Sequence, residues 1–341
     1  MSNYIPNTFI NSFSLLGDHL RHPDTELKEI IETEKLYNAW FTPESVSASV
    51  AAIAEHLSHA NLSKWTASYN LNANHAPKHI GLILAGNIPL VGFHDIMCVL
   101  LSGNHALIKA SSQDTRLIKY ILNKLVSIDA RFSNRFTFVE KLQNFDAVIA
   151  TGSDNSSRYF EYYFGKVPHI IRKNRNSLAV LTGHETAEQL HALGHDIFDY
   201  YGLGCRNVSK LMVPQGFNFT PFFEAIESYQ PIINHHKYNN NYDYNKSVYL
   251  VNSDKHLDNG FLLVKEDTRL SSPLAVLFFE YYDSLASAEK TINMNSEKIQ
   301  CVVSGGALKV NAQVVDFGKS QRPGLADYAD GIDTMKFLAD L

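Results

Sequence analysis

Hydrophobic positions along the chain follow two periodicities in turn, and together they predict an α/β protein. Over residues 12–60 they recur at helical spacing. Leu15, Leu16 and Leu20 make one stripe, and Val46, Val50, Ile53, Ala54 and Leu57 make another. From His79 the pattern becomes short apolar runs separated by small and polar turns. Ile80-Gly81-Leu82-Ile83-Leu84 reads as a buried strand, Ala85-Gly86-Asn87 as a turn, and Pro89 as a helix start. Leu90 to Ser102 is then a buried helix stopped by Gly103, and Ala106-Leu107-Ile108 is a strand ending at Lys109. Strand, helix and strand in this order make a parallel βαβ unit with a right-handed crossover.

The theme repeats. Phe136 to Val139 and Ala147 to Ala150 are strand-like, and the second runs through Thr151-Gly152-Ser153-Asp154 into a helix ending near Phe164. His169 to Ile171 and Leu178 to Leu181 follow as strands, then a helix from Glu185 to Tyr201 with Gly202 as its stop. Val208 to Val213, Ser247 to Val251, Ala275 to Phe279 and Cys301 to Ser304 read as strands of a second half. The Asn- and Tyr-rich run from Tyr238 to Asn245 reads as an exposed loop. No internal repeat appears at solenoid periods. The seam falls near Ser177, giving domains 1–176 and 177–341, with the C-terminal tail able to return to the first.

Composition narrows the class. The 341 residues suit two domains, and 45% hydrophobic with 19% charged residues is ordinary for a chain with a sizeable core. Thirty Lys and Arg against 35 Asp and Glu leave a formal charge of −5 with no basic block, which argues against nucleic acid or an anionic membrane as partner. The three cysteines, Cys98, Cys205 and Cys301, are widely spaced and include no CxxC pair, so neither a disulfide framework nor a structural zinc site is encoded. Met1-Ser2-Asn3-Tyr4-Ile5-Pro6 does not read as a signal peptide, and no run is long and apolar enough for a membrane span. A cytoplasmic location is the expectation.

Candidate chemistry centres on Cys205, in Gly202-Leu203-Gly204-Cys205-Arg206-Asn207. Glycine neighbours open a thiol to a substrate carbonyl, and backbone N–H groups of such a turn can face an oxyanion. A buried Cys acting as a small hydrophobe is the alternative; Cys98 and Cys301 sit in apolar runs and read as core. The hexapeptide nearly spells GxGxxG, but it follows a helix and has Asn207 at the third glycine, so it is no dinucleotide fingerprint. No Walker loop or GxSxG elbow occurs. His191 and His195 are paired at i, i+4, yet Ala192 stands where a zinc-protease helix needs Glu, and no metal site is expected. Asn87, Lys109 and the Gly152-Ser153 turn each end or follow a parallel strand, where open α/β sheets place ligands. Asn87 can donate to an oxyanion or form a turn; Lys109 can bind a ligand or only solvent.

In order along the chain, these segments resemble the aldehyde dehydrogenase superfamily. Gly86-Asn87-Ile88-Pro89 is similar to its Pro-Trp-Asn-Phe-Pro turn, Lys109-Ala110-Ser111 to its Lys-Pro-Ser strand end, and Gly152-Ser153 to its Gly-Ser turn. Gly204-Cys205 followed by Val208-Ser209-Lys210 looks like its nucleophile segment. More specifically, Ala85 to Asp95, Gly202 to Lys210 and Asp327-Tyr328-Ala329-Asp330-Gly331 resemble acyl-CoA reductases of the bioluminescence LuxC type. The resemblance implies a nicotinamide cofactor-binding domain, a catalytic domain and a cleft between them. It also implies Cys205 as acyl-accepting nucleophile, Asn87 with the Cys205 N–H as oxyanion hole, Lys109 on the adenosine ribose and Ser153 on the pyrophosphate. The substrate would be an acyl-CoA or acyl-carrier-protein thioester, and the product an aldehyde. A homo-oligomer is left open.

The departures are as informative. Where hydrolytic relatives carry Glu-Leu-Gly-Gly-Lys-Ser, this chain has Arg172-Lys173-Asn174-Arg175-Asn176-Ser177, so the base that activates the deacylating water is missing. Ser112 replaces the Glu that binds the ribose 2′-hydroxyl in NAD-preferring relatives, which favours NADPH, with NADH as the alternative; Asp114 nearby opposes a phosphate. Arg269-Leu270-Ser271-Ser272-Pro273 stands in place of Glu-x-Phe-Gly-Pro, and the projecting hairpin is shortened between Trp65 and His79. The same residues would serve a CoA-acylating aldehyde dehydrogenase working oxidatively. A cofactor-independent cysteine acyltransferase or thioesterase, or a silent scaffold, would keep only part of them.

Overall fold

The computed structural model describes residues 5–71 and 76–341. The chain divides into two compact units, Met1–Asn174 together with Gly324–Leu341, and Arg175–Pro323.

The first unit opens with helices α1 (Ile5–Arg21), α2 (Thr25–Thr33), α3 (Pro43–His56) and α4 (His59–Thr66). The last three begin at polar caps. The side chains of Asp24, Thr42 and Ser58 accept the N–H groups of Leu27, Ser45 and Asn61, and Pro43 takes the first position of α3, where its missing N–H leaves nothing unpaired. Phe13, Leu16 and Leu20 of α1 and Val46, Val50 and Ala54 of α3 are buried, whereas Leu15 of the expected stripe faces outward. Part of the expected short hairpin, residues 72–75, lies outside the described residues.

A parallel sheet follows: β1 (His79–Ile83), α5 (Phe93–Leu101), β2 (His105–Lys109), α6 (Thr115–Ile128), β3 (Phe136–Phe138), β4 (Ala147–Thr151), α7 (Asp154–Phe164) and β5 (His169–Arg172). The strand order is β3-β2-β1-β4-β5, with every pair parallel. The order reverses between β1 and β4, and the C-terminal ends of the strands beside such a switch leave a crevice for a ligand. The helix expected from Leu90 starts three residues later. Leu90 takes a left-handed φ of 60°, which breaks helical geometry, and Pro89 to Gly92 form a turn instead. Gly103, at φ 81°, does stop α5. Helix α6 is absent from the expectation, although Leu117, Ile118, Ile121, Leu122 and Leu125 form its buried face.

The second unit contains β6 (Asn176–Val180), α8 (Ala187–Phe198), β7 (Val208–Pro214), α9 (Thr220–Ala225), α10 (His236–Val251), β8 (Leu257–Asp258), β9 (Leu263–Glu266), β10 (Val276–Tyr282), α11 (Leu285–Met294), β11 (Ile299–Val303) and β12 (Gln313–Val315). Its sheet runs β12-β11-β6-β7-β10-β9-β8 and is parallel except for the short edge strand β8. Two expectations are overturned here. Tyr238 to Asn245 is no exposed loop, and Ser247 to Val251 is no strand: both lie in α10. Tyr238, Tyr242, Asn245 and Tyr249 recur at helical spacing and are buried, so the core face of this helix is built from tyrosine and asparagine. Leu250 and Val251, which suggested a strand, face outward.

Gly324–Leu341 belongs to the first unit, with helix α12 (Thr334–Ala339). Leu325, Tyr328, Met335 and Leu338 join the same hydrophobic core as α5. Tyr328 of the Asp327 to Gly331 motif accepts the indole N–H of Trp65 at 2.9 Å and shares a hydrogen bond with Tyr69 at 2.7 Å. Among the described residues, no helix is long and apolar enough to cross a membrane.

Candidate active site

In the second unit, Cys205 occupies the turn between α8 and β7 and is exposed, while Cys98 and Cys301 are buried. Burial pushes the Cys98 thiol well up, and His94 Nδ1 lies 3.7 Å from its sulfur. Cys301 lies in β11 against the hydroxyl of Ser177 at 3.1 Å. These two behave as core residues.

The turn bearing Cys205 is held on all sides by polar contacts. Helix α8 was expected to run to Tyr201, but it ends at Phe198 because Tyr200, Tyr201 and Gly202 adopt successive left-handed φ values of 54°, 60° and 77°. Glycine does this freely, whereas each tyrosine costs about 1–2 kcal/mol. Asn207 compensates. Its amide nitrogen donates to the carbonyls of Asp196 (3.1 Å) and Asp199 (2.9 Å), and its oxygen accepts the Gly204 N–H at 2.8 Å. The buried Ser177 hydroxyl donates to the carbonyl of Cys205 itself at 3.0 Å. Arg206 turns inward, giving its Nε hydrogen to the Ser320 carbonyl at 2.6 Å. After the turn, Ser209 Oγ donates to the Leu270 carbonyl and Lys210 Nζ to that of Thr268, both at 2.8 Å, and Lys210 pairs with Glu280. Strand β7 thus fastens the Arg269 to Pro273 segment through Leu270. Arg269 of that segment folds back on Asp267, at 2.5 Å.

In the first unit, the other candidates gather at one edge of the sheet. Asn87 follows β1, Lys109 ends β2 with Ser112 just beyond, and Gly152-Ser153 follow β4, so all lie at C-terminal ends of the three neighbouring strands beside the switch. Asn87, Lys109, Ser112 and Ser153 are exposed. Asn87 caps no helix, because α5 begins at Phe93 with Gly92 as its cap. Ser153 caps α7, accepting the Ser156 N–H at 3.3 Å. Gly86 is obligatory at this edge: a Cβ there would sit 2.3 Å from the Ser111 hydroxyl oxygen.

Asp114, which seemed to oppose a phosphate near Lys109, is fully buried and accepts the Leu90 N–H at 2.7 Å. Burial drives its carboxyl well above the usual carboxylate range. It therefore places no exposed charge beside Lys109; instead it secures the left-handed residue after Pro89. An unfolded aspartate titrates near about 3.9, so folded-state stability falls as pH rises from there through the raised folded value. Asp114→Asn retains the acceptor without that loss. Thermal melts should show it more stable than wild type at neutral pH, with the gap closing toward pH 4; an equal deficit at every pH would refute this.

Arg172 is buried at the end of β5. It pairs in two-pronged fashion with Asp95 of α5 and donates to Thr334 Oγ1 at 3.0 Å. The side chain at this position is committed to an ion pair within the first unit. Among the described residues no group of three or more His, Cys, Asp or Glu is placed to hold a metal ion. His195 is instead bonded to Asp199 and His191 to Ser228.

Comparison with known proteins decides the family. The profile of the acyl-CoA reductase (LuxC) family matches residues 20–221, more than half of the chain. The chain belongs to that family. No curated protein matches it. Its fold is that of aldehyde dehydrogenases. An NAD-dependent aldehyde dehydrogenase of Sinorhizobium meliloti is 12% identical with a TM-score of 0.69, covering 93% of this chain and 74% of its own. A mutant of aldehyde dehydrogenase C of Pseudomonas syringae, complexed with NAD+ and octanal, is 12% identical with a TM-score of 0.67, covering 92% and 77%. The aldehyde dehydrogenase KauB of Pseudomonas aeruginosa is 13% identical with a TM-score of 0.64, covering 91% and 76%. For a LuxC-family chain on this fold, acyl-thioester and aldehyde chemistry is the established frame. The bonds of Asn207, Asp114 and the Arg172–Asp95 pair are not legible in the local sequence pattern. For Asn207 the sequence signal is its spacing of three from Gly204, whose N–H its side chain accepts.

Proposed function

We propose that the protein reduces an acyl-CoA thioester to an aldehyde, with NADPH as reductant and the acyl group held on Cys205 between the two half-reactions. The observation that carries this reading is the exposed Cys205 on a fastened, glycine-bearing turn, in a chain of the acyl-CoA reductase family whose other cysteines are buried. Cys205 Sγ attacks the thioester carbonyl, the bond from the acyl carbon to the CoA sulfur breaks, and CoA leaves as its thiol with the proton Cys205 gives up. The Asn87 amide and the Cys205 N–H are assigned the negative charge that develops on the carbonyl oxygen. When bound, the reduced nicotinamide supplies the hydride that makes the aldehyde. Arg172 supplies no base for water, so the acyl group stays on Cys205 instead of being hydrolysed.

The donor set at the sheet edge fits a phosphorylated dinucleotide. Lys109 is an exposed cation, Ser112 adds a hydroxyl without charge, and the buried Asp114 does not repel. Ser153 and the N–H groups that open α7 suit a pyrophosphate, and Gly152 leaves the backbone accessible. NADH is the alternative cofactor.

The test supplies acyl-CoA and NADPH and follows NADPH oxidation together with aldehyde. Consumption of acyl-CoA with NADPH unchanged would defeat the reductase reading and favour an acyltransferase or thioesterase. Lys109→Ala should weaken NADPH binding on the order of tenfold, the loss of one charge-assisted contact, and NADH binding less. Equal NADPH affinity in a titration would remove Lys109 from the site.

A further inference from the structure

We infer that Asn207 is a positioning residue that sets how fast Cys205 accepts an acyl group. The inference rests on the reading of Cys205 as nucleophile. One side chain spans the whole left-handed segment. On its near side the amide nitrogen takes the carbonyls of Asp196 and Asp199 at the end of α8, and on its far side the oxygen takes the Gly204 N–H. The Asn207 N–H returns to the Gly204 carbonyl at 3.0 Å. Asn207 itself is buried, so these hydrogen bonds are shielded from water. Cys205 lies between Gly204 and Arg206, both fastened, and its backbone direction follows from theirs.

Backbone direction matters to one reaction of the thiol and not to another. Acylation turns the thioester carbonyl into an oxyanion that a correctly aimed N–H must meet, and misplacement by an ångström is costly. Alkylation by iodoacetamide forms a carbon–sulfur bond as iodide leaves, develops no oxyanion, and needs only an accessible thiolate. Asn207→Ala should therefore slow acylation of Cys205 by acyl-CoA on the order of a hundredfold, while iodoacetamide alkylation keeps its wild-type rate. Asn207→Asp separates the two halves of the clamp. As a carboxylate it accepts from Gly204 but offers α8 no hydrogen; protonated, it regains one donor. Its acylation rate relative to wild type should rise as pH falls, whereas the ratio for Asn207→Ala stays flat.

Acylation is followed by mass spectrometry of the intact protein after mixing with acyl-CoA in the absence of nicotinamide. Wild-type acylation in Asn207→Ala, or acylation and alkylation falling by the same factor, would overturn the inference. Should Asn207→Ala fail to fold, Asn207→Asp carries the test, and a pH-independent ratio overturns it. A wild-type acyl adduct on a residue other than Cys205 would overturn the proposed function itself, an outcome distinct from either.

Discussion

Cys205→Ala should form no acyl adduct with acyl-CoA and should lose reductase activity by a factor on the order of 10⁴ or more, the usual consequence of deleting a covalent nucleophile. The side chain is exposed on its turn, so its removal opens no cavity, and the melting temperature should stay near that of wild type. NADPH binding should also survive, because Lys109, Ser112, Gly152 and Ser153 all belong to the first unit and Cys205 to the second. Loss of acylation with retained fold and retained cofactor binding is a pattern that a scaffold or a misassigned nucleophile does not produce. An adduct that persists in Cys205→Ala, on Cys98 or Cys301, would refute the assignment. Both alternatives are buried, and the Cys98 thiol is held in its protonated form by its apolar surroundings, which makes it a poor nucleophile. Without NADPH the wild-type adduct should persist and be reclaimed by added CoA, since no carboxylate stands at position 172 to activate water.

Much of the fold was legible because its strands are short, fully apolar and bounded by small residues. Ile80 to Leu82, Ala106 to Ile108 and Ala147 to Ala150 are buried on both faces, as a parallel sheet between helices requires. The misreadings share a cause: the deciding residues were polar or aromatic. Helix α10 buries tyrosines and an asparagine, which composition assigns to loops. The late start of α5 after Leu90 and the early end of α8 before Tyr200 go with left-handed backbone in residues that carry side chains, and Asp114 and Asn207 bond the adjoining backbone. Such bonds link positions 24 residues apart in the first case, and no local pattern announces them. The candidate site was legible in its outline, from Asn87, Lys109, Gly152-Ser153 and Cys205 at the ends of successive elements, but the side chains that hold those turns were not.

Arg172→Met should cost the first unit about 3–5 kcal/mol, the range for removing one partner of a buried ion pair, and lower its melting temperature on the order of 10 °C. The methionine fills most of the space, so the loss comes from electrostatics and not from a cavity. Asp95 is buried, and without the guanidinium its carboxylate keeps neither its counter-charge nor its two hydrogen bonds. Thr334 loses a partner as well, which loosens the return of the C-terminal tail onto α5; proteolysis of that tail should accelerate in parallel. Replacing both partners, Asp95→Leu with Arg172→Met, should recover most of the stability, because the desolvation of two charges disappears together with their attraction. Arg172→Glu sets a second carboxylate against Asp95, and should destabilise at least as much as Arg172→Met without yielding a free acid from acyl-CoA. A single variant within about 1 kcal/mol of wild type in denaturant unfolding would show that the pair contributes little. Release of free acid by Arg172→Glu would show that this position remains poised to activate water.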